Sequence, residues 1–153
     1  MLSVSAALLL LSSLQPFHGA ALADQAERVN TLLAPRIADA QNQPASTAMQ
    51  ADADDPLLTG LGEFSRLAMR LSLQMEAEDG PEDLRCIYRG MAQDALNHRT
   101  TLETATFQAE QLTAYSDIRY LMDHARQIGP IADQPDIEPF TGVAPDCPRG
   151  PLR

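Results

Sequence analysis

The chain has 153 residues, with 21 acidic and 11 basic side chains and a net charge of −10 at neutral pH. Such an acidic surface repels phosphate backbones, and no basic stripe in the sequence offsets it, which excludes nucleic acid as an expected partner. Every basic residue is Arg, and the lack of Lys excludes Schiff-base chemistry and lysine-based phosphate loops.

Residues 1–23 have the layout of a secretory signal peptide. The apolar run at residues 6–14 is too short to span a bilayer, and the triplet ALA at 21–23 offers small residues at both positions that a signal peptidase reads. No Lys or Arg precedes the run, and the alternative is a buried N-terminal helix. We expect cleavage near Ala23 and a periplasmic or secreted protein with no membrane anchor, since no later run is long and apolar enough to cross a membrane.

Residues 24–55 are expected to form a short N-terminal helix and a flexible linker. Pro35 interrupts the helical pattern of residues 24–41, so we predict a short and only loosely docked helix there. Residues 43–55 are polar and rich in Ala without an apolar period, which is typical of a flexible segment.

Residues 56–129 carry the pattern of a helical core. Asp55 is a candidate N-cap for a helix that starts at Pro56, and apolar residues then recur at spacings of four and three for about 20 residues. Gly80 is expected to end this helix, and the next begins at Pro81. A possible capping box follows at residues 100–103, so the sequence leaves open whether one helix continues through 97–103 or a new helix starts there.

The last predicted helix has the most regular pattern in the chain. Its heptad face is formed by Phe107, Gln111, Ala114, Ile118, Leu121, Ala125 and Ile128. This spacing predicts packing against a neighbouring helix at a shallow angle, and it would also suit a homodimer seam over residues 107–128. Gly129 and Pro130 end the helix, and residues 130–153 are expected to form an extended tail, because they are too rich in proline to be helical for long.

Cys86 and Cys147 are the only cysteines. In an exported chain, an even number of cysteines favours a disulfide. The pair would close a loop of about 60 residues, worth about 4 kcal/mol in the chain-entropy model. Catalysis by the Cys86 thiol is not expected, because His98 lies about 18 Å away along the same helix. The predicted fold is therefore an all-α bundle of three to four helices with an irregular proline-rich tail tied back by this disulfide.

Two further features of the Cys86 helix suggest sites. Asp94 and His98 share one helical face and could form half of a metal site, which Asp123 and His124 would complete only if two helices align. Solvated polar residues are the simpler interpretation, and no cofactor is expected. In a helix interior, a glycine such as Gly90 lowers stability by about 1 kcal/mol relative to Ala. Its presence indicates that something packs closely against the helix there: another helix, the tail or, as a weaker alternative, a ligand.

The run CIYRGMAQDA at residues 86–95 resembles a signature of small exported immunity proteins of the Rap1a/Tai type. In both, a cysteine is followed by an aromatic residue, a glycine and the pair Asp-Ala. The resemblance implies a secreted helical protein with disulfides that binds and neutralises a toxic enzyme. The further cysteines and the C-terminal pattern of that family are absent from this sequence.

We therefore expect an exported, non-catalytic helical interaction or accessory protein with an unknown partner. Its charge would attract a cationic partner. The alternative is a secreted inhibitor or immunity-type protein that blocks a partner enzyme. A small enzyme, or a ligand- or metal-binding protein that uses Asp94, His98 and His124, is the third hypothesis. The sequence leaves open whether the protein is a monomer or a homodimer.

Overall fold

Four α-helices and one short 3-10 helix make up the computed structural model, which describes residues 18–49, 51–52 and 54–134. The α-helices are α1 (Gly19–Gln41), α2 (Pro56–Ala77), α3 (Glu82–Thr104) and α4 (Gln108–Ile128), and the 3-10 helix is Gly129–Asp133. No strand occurs among the described residues, so the prediction of an all-α bundle is confirmed. The apolar run at 6–14, most of the proline-rich tail and Cys147 lie outside the described residues.

The helices form an up-down-up-down bundle in which each packs antiparallel to its neighbours in sequence. Arg36 in the second half of α1 pairs with Asp55, which caps the start of α2. Ser65 and Ser72 follow each other along α2, and they donate to the carbonyls of Ala92 and Arg85, which come in the reverse order along α3. The ring closes between α1 and α4, where Asn30 donates to Asp123. Short connections favour antiparallel neighbours, as the α2–α3 and α3–α4 turns show.

Helix α1 is longer and more deeply packed than the sequence predicts. It runs through Pro35 without a break, and Val29, Leu33 and Ala40 are completely buried. A proline leaves the carbonyl four residues earlier without its helical partner. Both Thr31 and Pro35 are exposed, so water can hydrate that carbonyl, and the buried face outweighs the local cost. The predicted interruption and loose docking are therefore wrong.

The first turn of α1 belongs to the segment predicted as a signal peptide. Leu22 is completely buried, and the backbone N–H groups of Gly19 and Ala20 donate to the Asp133 carboxylate at 2.7 and 2.9 Å. Gly19 also meets Gly129 so closely that a Cβ at Gly19 would clash with the Gly129 carbonyl. Cleavage after Ala23 would remove all of these contacts.

The linker between α1 and α2 is attached to the start of α4 by hydrogen bonds. The backbone N–H and C=O of Met49 both bond to the Gln111 carboxamide, and the Gln108 amide donates to the Ala40 and Gln43 carbonyls. Gln111 is the polar residue of the heptad face, and these bonds explain how it can be buried. The predicted flexibility of residues 43–55 concerns motion and stays a prediction.

Helix α2 begins as predicted and ends differently. The Asp55 carboxylate accepts the Leu57 N–H at 2.8 Å, and Pro56 occupies the first turn. At the other end Asp79, rather than Gly80, takes the left-handed conformation, with φ of 55°. The Gly80 N–H donates to the Met75 carbonyl, which satisfies an acceptor of the last turn.

Helix α3 is continuous through residues 97–103, which resolves the alternative that the sequence left open. The Thr100 hydroxyl donates to the Leu96 carbonyl within the helix and does not cap a new one. The chain turns later, and Glu110 of α4 then accepts the backbone N–H groups of Thr106 and Phe107.

The heptad face of α4 packs inside the bundle. Gln111, Ala114, Ile118, Leu121 and Ala125 are buried, whereas Phe107 at its start is half exposed. A homodimer would therefore have to use another surface than the 107–128 seam. No helix of the described residues is long and apolar enough to cross a membrane.

Candidate functional site

A groove of about 490 Å³ runs between α3 and α4, the pair of neighbouring helices with the least extensive contact. We call it the α3–α4 groove. Its polar walls are formed by Asp94 and His98 of α3 and by Asp117, Tyr120 and His124 of α4. Its remaining lining residues are Ile87, Gly90, Met91 and Leu121. The groove thus combines carboxylate, imidazole and aromatic groups above a partly apolar floor.

Helical spacing explains how the polar residues reach the same groove. Asp94 and His98 are four residues apart on α3, and Tyr120 and His124 are four apart on α4, so each pair shares one face. The Tyr120 and His124 rings lie with their centroids 6.2 Å apart. The three residues that the sequence suggested as metal ligands, Asp94, His98 and His124, are therefore brought to one groove.

Proximity in one groove does not make these residues a metal centre. Among the described residues, no three His, Cys, Asp or Glu side chains lie close enough together to hold a metal ion. Asp94, Asp117 and His124 are exposed, and their side chains are open to water. Such groups can attract a cation and form hydrogen bonds with it, and the face of Tyr120 can add a cation–π contact.

Gly90 lies in the wall of the groove and not at a contact between helices. A Cβ built at this position meets no atom of the described residues within 4 Å. The prediction that a neighbouring helix packs closely on Gly90 is therefore wrong. The other two explanations, the tail and a ligand, remain open, because either would have to enter the groove from outside the described residues.

The groove continues toward the start of α4 as a second depression of about 560 Å³ that shares His98 and Asp117. Glu110 lies on its wall. Hydrogen bonds from the backbone N–H groups of Thr106 and Phe107 hold the pKa of Glu110 below its usual value. Because a lowered pKa keeps a carboxylate ionised at lower pH, this end of the groove stays negative in mildly acidic solution.

Cys86 is adjacent in sequence to Ile87, at the beginning of the α3 wall. The described part of the chain contains no free cysteine, and Cys147 lies outside it. The predicted pairing of Cys86 with Cys147 therefore stays a prediction. If the pair forms, it would bring the tail to the end of the groove at which Ile87 and Gly90 lie.

Sequence reasoning did not identify Asp117 and Tyr120. Their signal is the spacing of Asp117, Tyr120 and His124, which places three polar or amphipathic side chains on the exposed face of a strongly amphipathic helix. Tyr120 is 76% exposed, although aromatic residues are scarce in this chain. The apolar heptad on the opposite, buried face of α4 is the more regular pattern, and the spacing of these three exposed residues is the weaker signal.

The chain matches no known protein-family model, no curated protein and no solved structure.

Proposed function

We propose that this protein is an exported, non-catalytic interaction protein that holds a cationic segment of a partner protein in the α3–α4 groove. The observation that carries the proposal is the composition of this groove and of the adjacent depression, in which Asp94, Asp117 and Glu110 line two hollows that share His98 and Asp117. Carboxylates on both helices suit the Arg or Lys side chains of an extended segment.

The floor of the groove supports the same proposal. Met91 and Leu121 are buried, and they offer an apolar base to the aliphatic stem of an Arg or Lys side chain. The open backbone at Gly90 leaves room for a main chain to lie against α3. A partner would therefore gain apolar burial along the floor and charge pairing at the rim.

A binding assay with a charge-neutral variant tests the proposal. The full protein is titrated with an extended Arg-rich peptide, and the same protein serves as bait for partners in periplasmic extract. In Asp94→Asn/Asp117→Asn, we expect at least tenfold weaker peptide binding and loss of the same captured protein, because two carboxylates of the groove are removed.

The matched control is Asp39→Asn/Asp54→Asn, which changes the net charge by the same amount at two exposed positions outside the groove. It should bind both the peptide and the captured protein as the unmodified chain does. Equal weakening in the two double variants would mean that only net charge matters, and it would overturn the groove as the docking site.

The second candidate is a secreted inhibitor or immunity-type protein, and the position of the run at residues 86–95 favours it. Two of the residues that carry the resemblance, Gly90 and Asp94, line the groove, so the run resembling immunity proteins overlaps in part with the proposed docking surface. The captured protein would then be an enzyme, and its activity should fall on addition of the unmodified chain but not of Asp94→Asn/Asp117→Asn.

Export is supported by the sequence pattern of residues 1–23 and by the even number of cysteines. The intact mass of the protein purified from the periplasm tests the cleavage. A start at Asp24 would support cleavage at the predicted site, whereas a start at or before Gly19 would keep the whole of α1. Recovery of the uncleaved chain from the cytoplasm alone would contradict export.

A further inference from the structure

A second cleft, of about 390 Å³ between α2 and α3, is lined by arginines. We call it the basic cleft. Its charged residues are Arg66 and Arg70 of α2 and Arg99 of α3, and no carboxylate is among its lining residues. In a chain with a net charge of −10, three guanidinium groups around one depression form a local region of opposite charge. The linear sequence shows no basic stripe, because these residues converge only when α2 packs on α3.

Helix geometry places two of these arginines side by side. Arg66 and Arg70 are separated by four residues and therefore share one face of α2. Two like charges at this spacing repel each other on an isolated helix. Arg66 has no hydrogen-bond or ion-pair partner among the described residues, so all of its donors can serve a ligand.

The position of the third arginine, Arg99, depends on one hydrogen bond and on the space left by a glycine. The Arg99 Nε donates to Glu103 at 2.9 Å, and a Cβ at Gly62 would lie 3.3 Å from the Arg99 Nη1. The absence of a side chain at Gly62 thus lets the guanidinium lie close to the α2 backbone on the wall of the cleft. Ser65 also lines the cleft, although its hydroxyl donates to the Ala92 carbonyl.

The positive region extends onto α1. An adjacent depression of about 270 Å³ shares Arg66 and Arg70 and adds Arg28. It also contains Glu63, to which the Gln25 amide donates at 3.4 Å. Glu63 offsets part of the charge on this side, and Glu103 offsets part of the charge of Arg99 on the other. Arg66, which lines both depressions, is therefore the main anion-binding group of the cleft.

We propose that the basic cleft binds a small oxyanion with at least two negative charges, of the kind that phosphate and polycarboxylate groups share. Planar guanidinium groups bind both in the same bidentate geometry. Large polyanions are repelled by the acidic surface as a whole, whereas a small anion responds mainly to charges within a Debye length, about 8–10 Å. The proposal uses different residues from the α3–α4 groove, so either can fail without the other.

Titration of the full chain with inorganic phosphate and with citrate at about 0.1 M salt tests the proposal. Amide chemical shifts should change saturably at Gly62, Ser65 and Arg66 and not in α4. Arg66→Ala is expected to weaken binding at least tenfold. Arg119→Ala removes an exposed arginine of α4 that lines neither arginine-containing depression, and it should change the affinity less than twofold.

Tighter binding of citrate would identify carboxylates as the preferred group, and tighter binding of phosphate would identify a phosphate ester; both support the cleft. Arg66→Gln, which removes the charge but keeps a polar residue of similar helix propensity, should lose binding with unchanged helical content. Non-saturating shifts, or equal weakening by Arg66→Ala and Arg119→Ala, would show general charge screening and overturn the proposal.

Discussion

Tyr88 shows how one buried residue connects packing with pH dependence. It is the largest completely buried side chain described, and its hydroxyl donates to the Ile128 carbonyl at 2.9 Å. Burial raises the pKa of Tyr88 to about 12. Because the folded pKa lies above that of the unfolded chain, near 10, the contribution to stability is complete below pH 10 and is lost as the pH rises toward 12.

The free energy of unfolding is therefore expected to fall by about 2 kcal/mol between pH 10 and pH 12 through Tyr88. Urea denaturation at a series of pH values measures this fall, and the absence of Lys leaves few other groups that titrate in the window. Tyr88→Phe should remove most of the dependence. Burial also raises the pKa of Tyr115. Tyr115→Phe is the control that measures the smaller contribution of this residue to the pH dependence. A full fall retained in Tyr88→Phe would refute the assignment.

Gly90 gives a second prediction at the level of single residues. Because a Cβ there meets no described atom and the position lies inside α3, Gly90→Ala should raise the free energy of unfolding by about 1 kcal/mol. Gly60→Ala is the comparison, since its Cβ would lie 3.2 Å from Val29, and its gain should be smaller. Chemical denaturation measures both. Destabilisation by Gly90→Ala would indicate that the tail occupies the wall of the groove.

At the scale of elements, the start of α2 depends on the Asp55 carboxylate, which makes two different interactions. Asp55 is buried, accepts the Leu57 N–H at 2.8 Å and pairs with Arg36 of α1 at 2.7 Å. It thereby caps α2 and attaches it to α1. The neighbouring Asp54 is exposed and provides a matched comparison.

Asp55→Ala is expected to lower the free energy of unfolding by about 3 kcal/mol, since it removes a helix cap and leaves a partly buried Arg36 without its charge partner. Asp54→Ala should change it by less than about 0.5 kcal/mol. Both values come from urea denaturation followed by circular dichroism. An effect of Asp55→Ala as small as that of Asp54→Ala would mean that neither the cap nor the ion pair contributes to stability.

Helix α1 gives the second prediction at this scale. A chain that begins at Asp24 loses the burial of Leu22 and the contacts to Asp133, so it should be less stable than a chain that begins at His18 by about 3 kcal/mol. Thermal and urea denaturation of the two chains measure the difference. Leu22→Ala in the longer chain should reproduce most of it, and equal stability of the two chains would contradict this packing.

At the scale of the whole molecule, the proposed disulfide would attach residues 135–153 to the bundle. Intact mass should show a chain two hydrogens lighter than the dithiol. Reduction should then lower the free energy of unfolding by about 4 kcal/mol, because the bridge closes a loop of about 60 residues in the unfolded chain. Cys86→Ser/Cys147→Ser should show the same loss without reductant. Labelling of both thiols in native, unreduced protein would rule the bridge out.

Much of the fold follows from local patterns in the sequence. The four-three spacing of α2 and α4, the cap at Asp55 and the turn at residues 78–81 each specify helix boundaries through interactions within a few residues. Local patterns fail at α1, because the cost of Pro35 is local whereas the burial of Leu33 depends on helices that come later in the chain.

The candidate site follows from the sequence only in part. Asp94, His98 and His124 stand out as residue types, and a spacing of four residues places Asp94 and His98 on one face of α3. The sequence by itself determined that the chain is helical and acidic, because backbone preference and net charge depend on residues one at a time or a few apart. Only the tertiary structure decided that α3 and α4 diverge over Gly90 and that Arg66, Arg70 and Arg99 converge, because both depend on which helix faces come together.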